Sequence, residues 1–248
     1  MIDLNSKSKL NEMINGSFTM QIDNALLKYY AKEENRKYLG GSRLGVDCSR
    51  ALQYEYLNVP KDKGKEFPAR VLRVFQRGHW AEEYLIKLIR EAGFTLLTEQ
   101  PDGKQYGFTA MDGKLKGHVD GIFTAGPIFI KYPALWECKC IQEKDFKACV
   151  KHGVKKHYPV YYGQIQIYQA YMQLHENPAI FTAVNANTME LHFELVDFDA
   201  AIAQRLSDKA VRVIKASESG EFLPRISNDK TFYKCKFCSW SERCFTQI

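Results

Sequence analysis

The chain has 248 residues, 45% of them hydrophobic and 26% charged, a balance ordinary for a soluble globular protein and enough for one substantial core. No stretch approaches the apolar length of a transmembrane helix, and no internal repeat or low-complexity tract is present, so membrane-spanning and repeat classes drop out. The formal net charge of +6 suits a polyanionic partner but does not require one.

In chain order, residues 22–38 read as a polar helix ahead of the Gly40-Gly41 break. Residues 47–57 read as a short helix starting near Asp47, a residue suited to an N-cap, with Cys48 at its start. A charged loop follows at 60–67. A long helix is predicted over 68–92, opened by Pro68 and closed by Gly93. Its apolar residues Val71, Val74, Phe75, Trp80, Leu85, Leu88 and Ile89 follow helical spacing. Strands are predicted at 94–99, 105–110, 115–123 and 134–140, a short helix at 143–151 and a longer one at 159–176. Strands return at 179–185 and 190–196 before a last helix at 198–218. The tail from 220 reads as irregular apart from its cysteines. Helices flanking a mixed central sheet, an α/β fold, is the expected class. The expected division is an N-terminal helical segment (1–67), a core (68–219) and a cysteine segment (220–248).

Two of these strands carry the chemistry. Asp120 sits in Gly117-His118-Val119-Asp120-Gly121, and about fifteen residues on comes Trp136-Glu137-Cys138-Lys139. Side chains alternate along a strand, so Glu137 and Lys139 point the same way, and Asp120 on a neighbouring strand can join them. Two carboxylates and an ammonium in mostly apolar strands make poor packing, since buried charges are costly unless paired or bound to metal. They suit a divalent cation and a phosphodiester. Gln164 and Tyr168, one turn apart on the next helix, share a face. Cys138 and Cys140 alternate to the opposite side and read as packing, Cys149 reads as a spare helix residue, and His118 points to the other face and is not counted as a ligand.

Lys144, Lys147, Lys151, Lys155 and Lys156, with His152 and His157, face only Asp145 within residues 144–157. The run is either a solvated helix face or a rim that tracks phosphates. Tyr158, Tyr161 and Tyr162 follow, as stacking surfaces or as core. The chain has seven cysteines, the last three as Cys235-x2-Cys238-x5-Cys244. Thiolates at such spacing grip a metal centre, and Cys48 is the natural fourth ligand. Met1-Ile2-Asp3-Leu4-Asn5 lacks the basic start and apolar run of a secretory signal. A cytoplasmic setting is expected, with metal-binding thiols rather than disulfides.

These segments resemble the PD-(D/E)XK nuclease superfamily, in particular its RecB-like branch. The resemblance rests on Asp120, Glu137-x-Lys139, Gln164-x-x-x-Tyr168 and Arg77-Gly78-His79-Trp80-Ala81-Glu82. It implies an αβββαβ restriction-endonuclease-like core. It implies Mg²⁺ or Mn²⁺ held by Asp120, Glu137, the backbone carbonyl of Cys138 and either Glu82 or Glu83. Lys139 would orient the attacking water, and Gln164 and Tyr168 would position the phosphate backbone. The cysteine layout resembles the iron-sulfur nucleases, such as the CRISPR-adaptation nuclease and the AddB-type helicase-nuclease. It implies a [4Fe–4S] cluster on Cys48, Cys235, Cys238 and Cys244, in a lobe built from both termini, with Zn²⁺ as the alternative. The implied substrate is linear DNA, single- or double-stranded, cut by an exonuclease in recombination, repair or phage DNA processing. A bacterial, phage or prophage setting follows, with a helicase, an annealing protein or further copies of the chain as partners. A CRISPR-adaptation nuclease, a non-catalytic DNA-binding module and a zinc-stabilised binding protein stand as alternatives. The sequence leaves DNA against RNA, and exonuclease against endonuclease action, open.

Overall fold

The computed structural model describes residues 7–32, 35–128 and 130–246. The residues examined above for a secretory signal, 1–5, lie outside them, as do 33 and 34 of the predicted 22–38 helix. In chain order the elements are α1 (Lys7–Tyr30), β1 (Leu39–Gly40), a 3-10 turn (Gly41–Arg43), α2 (Ser49–Tyr56), α3 (Ala69–Glu91), β2 (Thr95–Leu97), β3 (Gly107–Ala110), β4 (Leu115–His118), β5 (Gly121–Ala125) and β6 (Ala134–Ile141). They continue as α4 (Glu143–His157), α5 (Pro159–Tyr171), β7 (Ala179–Asn185), β8 (Leu191–Val196), α6 (Ala200–Ser219), α7 (Tyr233–Lys236) and α8 (Ser241–Thr246).

Five strands form a mixed sheet in the order β2-β5-β6-β7-β8, antiparallel except for the parallel pair β6–β7. A smaller sheet holds β1-β4-β3. The central strands β6 and β7 are the most apolar and the most buried; every residue of β7 is buried, as expected where both faces are covered. On one face Ala81, Leu85 and Ile89 of α3 pack against Trp136, Cys138 and Phe123. On the other, Ile165 and Tyr168 of α5 and Phe146 and Cys149 of α4 meet Leu135 and Phe181. The parallel β6–β7 step needs a crossover, and α4 with α5 supplies it. The helix, strands, helix, strand order is therefore the mixed α/β fold read from the sequence. No helix among the described residues is long and apolar enough to cross a membrane.

Several boundaries differ from the sequence reading. The strand expected over 115–123 is two strands, broken at Val119 and Asp120, because β4 pairs in the small sheet and β5 in the large one. Asp47 does not cap α2; Cys48 occupies that position without a side-chain cap, and Asp47 is paired with Lys234 instead. The short helix predicted at 143–151 runs on to His157 through a kink at Gly153, whose φ is +76°. The Glu194 carboxylate receives the Val154 N–H there, 2.9 Å away. α5 stops at Tyr171, before Gln173 with φ +58°. The tail contains α7 and α8. α1 starts fifteen residues before the predicted position 22 and has no buried residue, so it carries no apolar stripe for periodicity to detect.

Candidate active site

The break between β4 and β5 builds the site. β5 pairs with β6 only as far as Trp136. Beyond that point β4 turns away into the small sheet, and the Cys138 N–H has no β5 partner. Asp120 stands at the divergence, and its Oδ2 accepts that N–H at 2.7 Å. Both backbone groups of the preceding Val119 are held, its N–H by Tyr106 O at 2.9 Å and its carbonyl by the Gln105 amide at 3.0 Å. The turn that presents Asp120 is thus fixed on both sides.

Glu137 and Lys139 project toward α5. The Lys139 ammonium meets Glu137 Oε1, stands 3.7 Å from Asp120 Oδ2 and donates to the Cys138 carbonyl at 3.0 Å. One cation therefore occupies the point where two carboxylates and a backbone carbonyl converge. Glu137 is wholly buried, while Lys139 keeps 24% of its side chain exposed. Glu137 Oε2 is buried with no hydrogen-bond partner. A bare carboxylate oxygen in such a place is costly unless something fills the gap. Burial, followed by the nearby Asp120 charge, pushes the Glu137 carboxyl up to about 8 despite the ammonium beside it. Glu82 on α3 is pushed up to about 7, again by burial and then by Asp120. Its neighbour Glu83 is exposed. Lys139 is held well above its ordinary value by Asp120 and Glu137, which outweigh its burial.

Gln164 and Tyr168, expected on one helix face, are both buried. Gln164 is buried, and its amide donates to Glu137 Oε1. Tyr168, 3% exposed, lies edge-on to Phe108 and hydrogen-bonds with Ser42. Burial and then Glu137 raise its hydroxyl. Two glycines make room for this ring. A Cβ on Gly117 would meet Tyr168 Cε1 at 2.5 Å, and one on Gly41 would meet it at 2.9 Å. Trp136 and Cys138 alternate to the α3 side of the sheet, and His118 is exposed.

The sequence reading gave no site role to Ser42 or Arg43, which lie in a segment noticed only for Cys48, and left Tyr161 between stacking and core. The Lys139 ammonium lies 5.6 Å from the Tyr161 ring. Arg43 stands near that ring and forms a two-point pair with Glu55 at 2.7 and 3.0 Å. The five lysines of the basic run are all exposed on α4. Lys147 pairs with Glu143 and Lys155 with Asp199. Lys144, Lys151 and Lys156 have no such partner among the described residues.

The four cysteines singled out above gather at a second place. Cys48 and Cys238 pack against a cluster of Ala51, Tyr54, Trp240 and Cys244. Burial raises the Cys235 thiol first, and Cys48 and Cys244 add to the shift. Cys238 is likewise raised by burial and feels Cys48, Cys244 and Cys235. The Trp240 indole donates to Val59 O at 2.9 Å and ties the tail to the end of α2. All seven cysteines are free, and no group of three His, Cys, Asp or Glu side chains among the described residues stands as a ready coordination sphere.

The chain is similar to an alkaline exonuclease, LHK-Exo, from Laribacter hongkongensis, with a TM-score of 0.53 and 16% identity over 75% of this chain and 90% of that one. It is also similar to LHK-Exo in complex with dAMP (TM-score 0.49, 16% identity, 74% and 89% covered) and to SSO0001 (TM-score 0.47, 17% identity, 93% and 96% covered). No protein-family model and no curated protein matches the sequence.

Proposed function

We propose that the chain is a metal-dependent DNA exonuclease of the PD-(D/E)XK, RecB-like type, which hydrolyses phosphodiester bonds at DNA ends. The observation that carries this reading is the Lys139 ammonium seated among Asp120, Glu137 and the Cys138 carbonyl. Those oxygens are the hard donors that Mg²⁺ or Mn²⁺ takes, and the unpartnered Glu137 Oε2 adds another. Glu82, electrostatically linked to Asp120, is a further ligand. The similarity in fold to an alkaline exonuclease supports the same class of reaction.

A bound cation supplies charge neutralisation at the scissile phosphate, whose transition state is rich in negative charge. The protein's own groups do the rest. Gln164 fixes Glu137 Oε1 so that the carboxylate keeps its aim. Lys139, on a flexible four-carbon stem, leaves the oxygens, orients the attacking water and faces the phosphate. Tyr161 and the exposed lysines of α4 line the approach of the strand.

We read Cys48, Cys235, Cys238 and Cys244 as ligands of a [4Fe–4S] cluster, with Zn²⁺ the alternative for the same thiolates. The gathering of thiols nearly two hundred positions apart in sequence supports this reading. The segments 1–67 and 220–248 then form one lobe around the cluster, attached to the nuclease core. Recombination, repair or phage DNA processing in a bacterial cytoplasm is the role this reading implies, with a helicase or annealing protein as partner. A CRISPR-adaptation nuclease remains the second reading within the class.

The test is cleavage of end-labelled linear DNA and of a closed circle, with Mg²⁺ or Mn²⁺ and with EDTA. Wild type shortens the linear forms only with metal and spares the circle, and Asp120→Ala leaves both uncut. DNA binding without metal-dependent cleavage by wild type would replace this reading with a binding module.

A further inference from the structure

We propose that a cleft on the far side of α5 is a second nucleic-acid site, which takes the phosphodiester backbone of a single strand. The proposal rests on the nuclease reading above. The cleft, about 910 Å³ in volume, opens between α6, the start of α5 and the loop that leads into α2. Four cations line it: Lys155, Arg205, Lys209 and Arg212. Two acids also line it, and both are engaged. Asp47 is paired with Lys234, and Asp208 accepts the Gln204 amide at 2.8 Å.

The cations divide into a frame and free donors. Lys209 holds the loop by donating to the Leu44 carbonyl at 3.1 Å and to the Val46 carbonyl. Arg212 reaches Ser49 Oγ at 3.3 Å, which leaves most of its guanidinium N–H groups free. Lys155 shares Asp199 at 3.2 Å. Arg205 is exposed and makes no hydrogen bond or ion pair among the described residues. α2 opens into the same space with no side chain capping its first turn, so its N–H groups add to the positive lining.

The cleft is joined to the acid site by shared elements. On α5, Tyr161 borders Lys139, while the next residue, Tyr162, lines the cleft. The loop starts with Gly41 and Ser42 against Tyr168 and passes Gly45, tight against Val160, to reach the cleft at Asp47 and Ser49. Ser49, Arg205 and Arg212 stand on the cleft side of this shared segment and helix. A cleft of this volume is of the size that holds a small ligand, which suits a short length of single strand. A free mononucleotide carries the same phosphate chemistry, and the test separates the two.

The experiment measures binding of a fluorescent single-stranded 12-mer to full-length protein in EDTA, where no cleavage intervenes. Wild type is compared with Arg205→Ala/Arg212→Ala across a salt series, and deoxyadenosine monophosphate serves as competitor. An unchanged thermal midpoint checks that the variant is folded. The expected result is a loss of affinity of about tenfold or more at low salt, with the slope of log K against log salt shallower by about 1.4, as two lost phosphate contacts on a single strand require. Equal affinity and slope in both proteins would overturn the proposal. So would displacement of the 12-mer from wild type by the mononucleotide at equal phosphate concentration. Loss of cleavage in the linear-DNA test would sink the nuclease reading and leave this binding measurement intact.

Discussion

Glu137 is wholly buried, bound on one oxygen by Lys139 and Gln164 and bare on the other. The metal-free carboxyl pair has a consequence for stability. Glu137 and Glu82 are both raised above the ordinary carboxylate value, to about 8 and about 7. The folded state then holds more protons than the unfolded one between about pH 4.5 and pH 8. That stabilising contribution is complete below the unfolded value and is lost as pH rises through 7 and 8. In EDTA the thermal midpoint is expected to fall from pH 6 to pH 9, and Mg²⁺ to restore it most at the alkaline end, where the carboxylates are ionised. A midpoint that rises with pH in EDTA would contradict this. Replacing Gln164 with Ala leaves Glu137 Oε1 to Lys139 alone, and the expected loss is about ten- to a hundredfold in the cleavage rate, where an unchanged rate would show that the amide is only packing. Strand alternation made Glu137 and Lys139 legible as a pair. The task of Gln164 was not, since a buried amide bonded to a carboxylate looks the same in sequence as one facing a phosphate.

At the scale of elements, the site depends on the parting of β4 from β5. The sequence reads 115–123 as one strand because nothing within LKGHVDGIF, without a proline, marks where pairing changes. Pairing partners decide the break, and these lie in other segments: β1 and β3 on one side, β2 and β6 on the other. β7 was legible to the residue, since a fully buried run has sharp ends. α1 was not, because it buries nothing. The loop before α2 is a tight joint. A Cβ on Gly45 would stand 2.6 Å from the Val160 Cα, a backbone atom that cannot step aside. Gly45→Ala is expected to cost about 1–3 kcal/mol in urea unfolding and to weaken cleavage by displacing Ser42 from Tyr168. An unfolding midpoint equal to wild type would show that α5 yields. The cysteine grouping gives a further expectation. With a cluster on these thiolates as proposed, Cys235→Ala is expected to lose the bound iron and its brown colour after anaerobic purification, and its solubility with them. A folded, fully active Cys235→Ala would remove the cluster from the account, and zinc in place of iron and sulfide in wild type would turn it into a zinc site.

Across the whole molecule, one short segment joins three places. Residues 41–49 begin against Tyr168 at the acid site, line the basic cleft, and end with Cys48 among the tail cysteines. There Cys48 packs beside Trp240 and Cys244 of the C-terminal segment. The α/β class and the helix–strand order were legible from periodicity, and the likeness to an alkaline exonuclease is at the level of the fold. The cleft was not legible, since Arg205, Lys209 and Arg212 look in sequence like the solvated face of an ordinary helix.

The central claim is that Lys139 serves cleavage and not merely the packing of two acids. The most direct measurement is the single-turnover rate at which wild type and Lys139→Ala cut the same end-labelled duplex with saturating Mg²⁺, with binding measured alongside. The expected result is a rate lower by about a thousandfold with affinity within about threefold of wild type. A Lys139→Ala protein that folds, binds and cuts at the wild-type rate would contradict the account.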